Sequence, residues 1–294
     1  MQAFCRYLEY NSDGHFEAAT GTLQVPKTDN ILEFKAQMWI EDALDGGASQ
    51  YITDINGTPL KRYLREPDKS NELCVDWQTP APSHDSSKSN KIYAHCHCRG
   101  VEFYISHPDH TSKLASSGWP DLLVPSETGS STNSSNHPWW LPTTDRFLAG
   151  TCACRSCTRA SGFDVTFWAF IPITNITLDA DGTQPFTRDP YWGTMKTYKS
   201  RDDVTRSFCG TCGASVFYDT SVRPSLVDVA VGLLDAASGA RAEELLAWWT
   251  ERVSFSEYAL NKGLILGLER GIKAWGERNV REEFVAKRKA FEMV

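Results

Sequence analysis

Seven of the nine cysteines in this chain fall into three tight groups, and no other feature limits the fold so strongly. Cys96 and Cys98 lie in "HCHCRG", Cys152, Cys154 and Cys157 in "CACRSC", and Cys209 and Cys212 in "FCGTCG", while Cys5 and Cys74 stand apart. Thiols this close in sequence share a metal, a disulfide or a reaction, and each choice ties distant segments together. The compartment decides among them. No run of 18 apolar residues occurs, and the opening residues lack the charged and apolar regions of a secretory signal, so a cytoplasmic protein is expected. Thiols stay reduced there and are read as metal ligands or catalytic groups before disulfides.

Zinc in a structural site takes four ligands in a tetrahedron, and two cysteines a few residues apart can supply two of them from one turn. "FCGTCG" shows this best, because Gly210 and Gly213 accept the positive φ that such a knuckle tends to need. The Cys-x-Cys pair is weaker alone, since ligands at i and i+2 meet one metal only where the chain bends, which Gly100 permits. Together the two pairs make a complete four-thiolate site from Cys96, Cys98, Cys209 and Cys212. Cys152, Cys154 and Cys157 then remain as three thiols without a fourth, the pattern of a metal with an open position for substrate. His95, His97 or Asp164 could instead close that site, and redox chemistry without metal is a further alternative.

Along the chain, residues 79–91 are poor in apolar residues and rich in Pro, Ser and Asn, and mark a linker. A second polar stretch, 126–138, reads as a long surface loop flanked by Trp119, Trp139 and Trp140, which either form a lid or anchor the loop. "FDVTFWAFI" places Phe163, Val165, Phe167, Ala169 and Ile171 on one face of a strand, and "LVDVAVGLL" does the same for Val227, Val229 and Val231. From about residue 255 the chain is rich in helix formers and predicts a helical extension, 255–294, on a mainly β domain. The first residues, "FCRYLEYNSDGHFEAATGTL", loosely echo the later "CGASVFYDTSVRPSLVDVAVGLL", with Gly21 where Gly232 stands, as a worn internal repeat would.

The order "CHCRG", "CACRSCTRASG", "FCGTCG", "VGLLD" resembles the glutathione-dependent formaldehyde-activating family, which includes relatives of centromere protein V, over roughly 91–254. The resemblance implies a β-tent fold with two zinc ions, a structural one on Cys96, Cys98, Cys209 and Cys212 and a substrate-facing one on Cys152, Cys154 and Cys157. It also implies tandem copies in some members, so 1–78 is expected to be a degenerate half-repeat without zinc, followed by the 79–91 linker and a zinc domain over 92–254. The implied activity is that of a carbon–sulfur lyase joining a thiol, such as glutathione, to an aldehyde.

Two other functions stay open. Phe163, Trp168, Phe170 and Trp192, with Tyr191, are candidates for an apolar pocket, which would suit dehydration, isomerisation or cyclisation of a metabolite. A closed three-cysteine site would instead make the domain a zinc-stabilised interaction module. A formal charge of −7 offers no footprint for nucleic acid or an anionic membrane, although Arg155, Arg159, Arg188 or Lys199 could form a local basic patch for an anionic thiol. An unpaired strand edge left by a half-domain would favour a homodimer.

Overall fold

The computed structural model describes residues 19–23, 32–78, 90–189 and 191–279, and these form a mainly β chain with two α-helices. Two-residue strands come first: β1 (Ala36–Gln37), β2 (Asp54–Ile55), β3 (Thr58–Pro59) and β4 (Lys61–Arg62), with β1 beside β4 and β2 beside β3. The strands of the two main sheets follow as β5 (Lys91–His95), β6 (Glu102–Ser106), β7 (Phe147–Cys152), β8 (Thr166–Pro172), β9 (Ile176–Thr177) and β10 (Met195–Arg201). β11 (Val204–Cys209), β12 (Ser215–Thr220), β13 (Leu226–Ala230), β14 (Leu234–Asp235) and β15 (Leu246–Trp248) complete them, with helix α1 (Arg155–Ser161) after β7 and α2 (Lys262–Asn279) at the end. A seven-stranded sheet runs β10-β11-β12-β13-β8-β7-β15, antiparallel except for the β7–β15 pair, and a four-stranded antiparallel sheet runs β14-β5-β6-β9.

The central strands of the larger sheet are buried on both faces, and the register sorts their side chains. Phe217, Val229, Ala169 and Ala149 lie in one cross-strand row and join Phe103 and Ile105 of β6 in the main core. The adjacent row, Arg206, Tyr218, Asp228 and Phe170, belongs to the opposite face because side chains alternate with period two. Leu148, Phe170 and Leu226 on that face pack with Trp119, Leu122, Trp139 and Trp140 from the β6–β7 connection in a second core.

That connection is pinned. Trp139 donates to Gly118 O at 2.9 Å and Trp140 to Ser112 O at 2.9 Å, and both rings are fully buried. They anchor the polar stretch, as one of the two expectations had it, while Trp119 stays beside the space left over the sheet.

The C-terminal helix starts later than expected. Asn261 Oδ1 accepts from Leu264 N at 3.0 Å and caps α2, so the helix begins at Lys262 rather than near 255. Phe255 takes a left-handed φ of 55° and leads into a 3-10 turn at Ser256–Tyr258. Residues 280–294 of the expected extension lie outside the described residues.

The N-terminal segment packs on α2. Tyr51 is fully buried, with Trp248 at 5.5 Å and Trp275 at 5.2 Å between ring centroids, and Arg241 Nη1 donates to Asp45 O at 2.6 Å and Gly47 O at 3.1 Å. Of the stretch expected to repeat, 4–18 and Cys5 lie outside the described residues, as does 79–89 of the linker. Its remaining part, Thr20–Thr22, is a 3-10 turn entered from Ala19 at φ −65°, ψ 116°, and its counterpart Val231–Leu233 is entered from Ala230 at φ −66°, ψ 116°.

Gly267 and Gly271 face that segment so closely that a methyl group would overlap the carbonyl oxygens of Asp54 and Tyr51. Helix propensity alone would favour alanine by about 1 kcal/mol, but backbone overlap of this kind costs about 1–3 kcal/mol or more. Gly271→Ala is therefore expected to lower stability in urea unfolding. An unchanged or raised midpoint would refute the close packing of α2.

Candidate metal centres and cavity

Cys96 and Cys98 sit in the turn between β5 and β6, Cys209 ends β11, and Cys212 lies in the turn that leads to β12. The sequence places these pairs more than a hundred residues apart; the two sheets bring their turns together. Cys98 Sγ lies 3.6 Å from Cys96 Sγ and 3.5 Å from Cys209 Sγ, and all four sulfurs lie within 4.8 Å of one another. Ligands about 2.3 Å from a tetrahedral zinc would stand roughly 3.8 Å apart, so the donor set fits such an ion without rearrangement. None of these thiols is in a disulfide.

Backbone amides point at the sulfurs, as a metal-thiolate knuckle requires. Val101 N donates to Cys96 Sγ at 3.3 Å, and Thr211 N and Cys212 N both donate to Cys209 Sγ at 3.4 Å. Burial pushes the Cys96 thiol up, to about 12. Burial acts the same way on Cys209, but donation from Cys212 N, the Thr194 hydroxyl and Thr211 N outweighs it and brings that thiol down, to about 6. Gly213 takes the expected positive φ of 75°, whereas Gly210 does not: it is held against Thr194 O and Lys196, where a side chain would collide. In the first knuckle Arg99, at φ 57°, makes the bend assigned to Gly100.

The three remaining cysteines occupy a strand-to-helix corner. Cys152 ends β7, Cys154 is the N-cap of α1 and accepts from Cys157 N at 3.3 Å, and Cys157 lies in the first turn. Gly162 ends the helix at φ 72°, its N–H donating to Thr158 O. A thiolate at Cys154 suits a helix N-terminus, and hydrogen bonds from Cys152 and Cys157 hold its thiol well below the usual range. The three sulfurs also lie within 4.8 Å of one another, and among the described residues no histidine or carboxylate joins them at that spacing. His95 turns to Cys96 O and Asp235, His97 is exposed beside the other centre, and Asp164 is buried toward Thr20.

Arg206 joins them instead. Its Nη2 donates to Cys157 Sγ at 3.5 Å, and its guanidinium lies 5.0 Å from the Tyr218 ring. The Cys157 charge raises the Arg206 pKa although burial alone would lower it, so the arginine stays charged beside the sulfurs.

A cavity of about 780 Å³ opens on this corner. Its floor is the sheet face that carries Arg206, Tyr218, Asp228, Trp168 and Phe170; Trp119, Asp121 and Leu122 form one wall, and Ser254, Phe255 and Tyr258 another. Asp121 ties the walls together by accepting from Ser254 Oγ at 2.9 Å and Phe255 N at 2.7 Å. Asp228 is buried with Arg223 Nη2 2.9 Å from its Oδ1, and burial pushes its carboxyl up to about 6 against the pull of Arg223.

Of the four aromatic residues expected to form the pocket, Trp168 and Phe170 line this cavity. Phe163 and Trp192 are not among its lining residues. Phe163 precedes β8 with the opposite parity, and Trp192 packs against Phe103 and Phe217 on the core face while donating to Glu102 O. Tyr191 is likewise absent from the lining, and of the four basic candidates only Arg155 is present. Arg188 is paired with Asp219, and Arg159 and Lys199 are exposed elsewhere. Arg206, Arg223, Tyr218 and Asp228 were missed, although Asp228 alternates with Val227 and Val229, which already marked it as facing the other side of the strand.

Residues 142–252 match the model of the family described as glutathione-dependent formaldehyde-activating enzyme, GFA. The match contains Cys152, Cys154, Cys157, Cys209 and Cys212, while Cys96 and Cys98 reach the first centre from outside it. No curated protein matches the chain. A crystal structure of a Rhodobacter sphaeroides protein is similar at 14% identity, covering 53% of this chain and 99% of that one, with a TM-score of 0.29. No helix among the described residues is long and apolar enough to cross a membrane.

The two centres predict different losses. Cys209→Ser is expected to remove one metal ion and lower the melting temperature sharply, because that centre joins two sheets. Cys154→Ser is expected to remove one ion with the fold retained. Metal analysis beside thermal melts checks both, and collapse of the Cys154 variant would exchange the roles.

Asp228 also makes stability depend on pH. Its folded pKa of about 6 exceeds the unfolded carboxylate value of about 3.9, so the folded state binds the proton more tightly and stability falls as pH rises from about 4 to 6. Relative to wild type, Asp228→Asn is expected to gain about 2 kcal/mol in urea unfolding between pH 4 and 7. A difference that stays flat across that range would show that Asp228 does not titrate there.

Proposed function

We propose that the chain is a zinc-dependent enzyme acting on a small molecule in this cavity, and that its reaction is addition of a thiol to an aldehyde, in the carbon–sulfur lyase class. The observation that carries this reading is the contrast between the two centres: four sulfurs close one, while the other has three sulfurs facing about 780 Å³ of space. An all-thiolate donor set favours zinc, and the family match names glutathione and formaldehyde as the first pair to test. A zinc ion bound there would supply a Lewis-acid position that stabilises a thiolate.

The residues do the rest. Arg206 offsets the sulfur charge through Cys157, Trp119, Trp168 and Phe170 exclude water, and Arg155 and Arg201 give the lining a positive contribution despite the chain's net charge of −7. The aromatic lining also favours a second reading, in which an apolar metabolite undergoes dehydration, isomerisation or cyclisation at the same centre.

Zinc content and X-ray absorption of the reduced chain test the reading first, followed by NMR of glutathione–formaldehyde exchange. Two zinc ions averaging three and a half sulfurs each are expected from seven thiolates. One zinc with four sulfurs would leave the cavity without a metal and favour an interaction module instead.

A further inference from the structure

Asp228 stands in the row Arg206, Tyr218, Asp228, Phe170 on the cavity floor, and only 7% of it is exposed. Charged or titratable groups act on it from Arg206 on β11, Tyr218 on β12, Arg223 in the β12–β13 turn and Cys157 on α1, while β8 opposes it with Phe170. The Tyr218 ring lies between the two arginines, 5.0 Å from the Arg206 guanidinium and 5.8 Å from that of Arg223. Arg223 Nη2 lies 2.9 Å from Asp228 Oδ1 and is the one cation paired with it among the described residues.

The other carboxylate of the cavity is different. Asp121 accepts from Ser126 N and Oγ, Arg252 Nη2, Ser254 Oγ and Phe255 N, all at 2.7–3.0 Å. Those bonds make it a structural tie between the walls. The described lining contains no histidine and no further carboxylate.

We infer that Asp228 is the acid–base residue of the cavity, exchanging a proton with the molecule bound over the sheet. The inference rests on the proposed thiol–aldehyde reaction. In that reaction the Asp228 carboxylate takes the proton of the thiol, and the sulfur lone pair forms the new bond to the aldehyde carbon. The carbon–oxygen π pair moves onto oxygen, which takes the proton back from Asp228. The product is a hydroxyalkyl thioether, the carboxylate is restored, and no other reactant is consumed. Both protonation states of a carboxyl near 6 are accessible at neutral pH, which suits a group that must accept and return a proton.

The test compares wild type with Asp228→Asn and Asp228→Glu, each loaded with zinc, on glutathione and formaldehyde. Loss of a positioned acid–base group typically lowers the rate by about 10²–10⁴-fold. Asp228→Asn is expected to show that fall in kcat, with KM and zinc content little changed. It should also lose the decline in kcat/KM that wild type shows as pH drops through 6, and Asp228→Glu should restore part of the rate. An Asn variant that keeps the wild-type rate and pH profile overturns the inference. If wild type itself does not turn over thiol and aldehyde, the reaction is wrong and NMR of 13Cγ-labelled aspartate decides the residue's role. A resonance missing from Asp228→Asn that titrates near pH 6 and shifts on adding benzaldehyde supports proton exchange with a bound molecule. One that does not titrate, or ignores the probe, overturns it.

Discussion

The meeting of four sulfurs between the β5–β6 and β11–β12 turns is the constraint on which the rest of the structure depends. Cys98 and Cys209 are separated by 111 positions, yet their sulfurs are 3.5 Å apart. That contact fixes the smaller sheet against the larger one at one end, and a structural zinc held there would contribute about 10–16 kcal/mol of apparent binding energy to folding. With the two sheets locked, Phe103 meets Phe217 at 5.2 Å and the core face of the larger sheet is closed. Its other face is then the only side of the central strands left to carry polar chemistry.

That face is unusual because a charged row crosses strands that are otherwise buried. Arg206 and Asp228 lie on β11 and β13, flanking Tyr218 of β12, and both are buried at the floor of the cavity. Burial makes each charge sensitive to its neighbours, which is why Arg206 is held charged by Cys157 and why the Asp228 carboxyl rises despite Arg223. The three-cysteine corner opens onto this row. Sulfur, guanidinium, phenol and carboxyl therefore share one space without sharing a single stretch of sequence.

The connection over that face is polar in sequence yet rigidly attached, because Trp139 and Trp140 bury their rings and hydrogen-bond back to Gly118 and Ser112. Asp121 completes the attachment by binding Ser254 and Phe255, so the segment after β15 becomes a cavity wall instead of the start of a helix. The late start of α2 is set in the backbone: Phe255 takes a left-handed φ of 55°, and the helix begins only after the Asn261 cap.

The amino-acid sequence alone divided seven cysteines into a group of four and a group of three, because ligand spacing and glycine placement are local properties. It also determined the strands, whose alternation is visible in "FDVTFWAFI" and "LVDVAVGLL". Which face of those strands meets the cysteine corner was left to packing, for alternation sorts residues into two sets without saying which set is turned toward the sulfurs. Trp168 and Phe170 face the cavity and Phe163 does not, a choice made by packing of the smaller sheet on one side and the β6–β7 connection on the other. Arg206 and Asp228 acquired their surroundings in the same way: alternation sets Asp228 opposite Val227 and Val229, but bringing it into one row with Arg206 depends on the register of three strands.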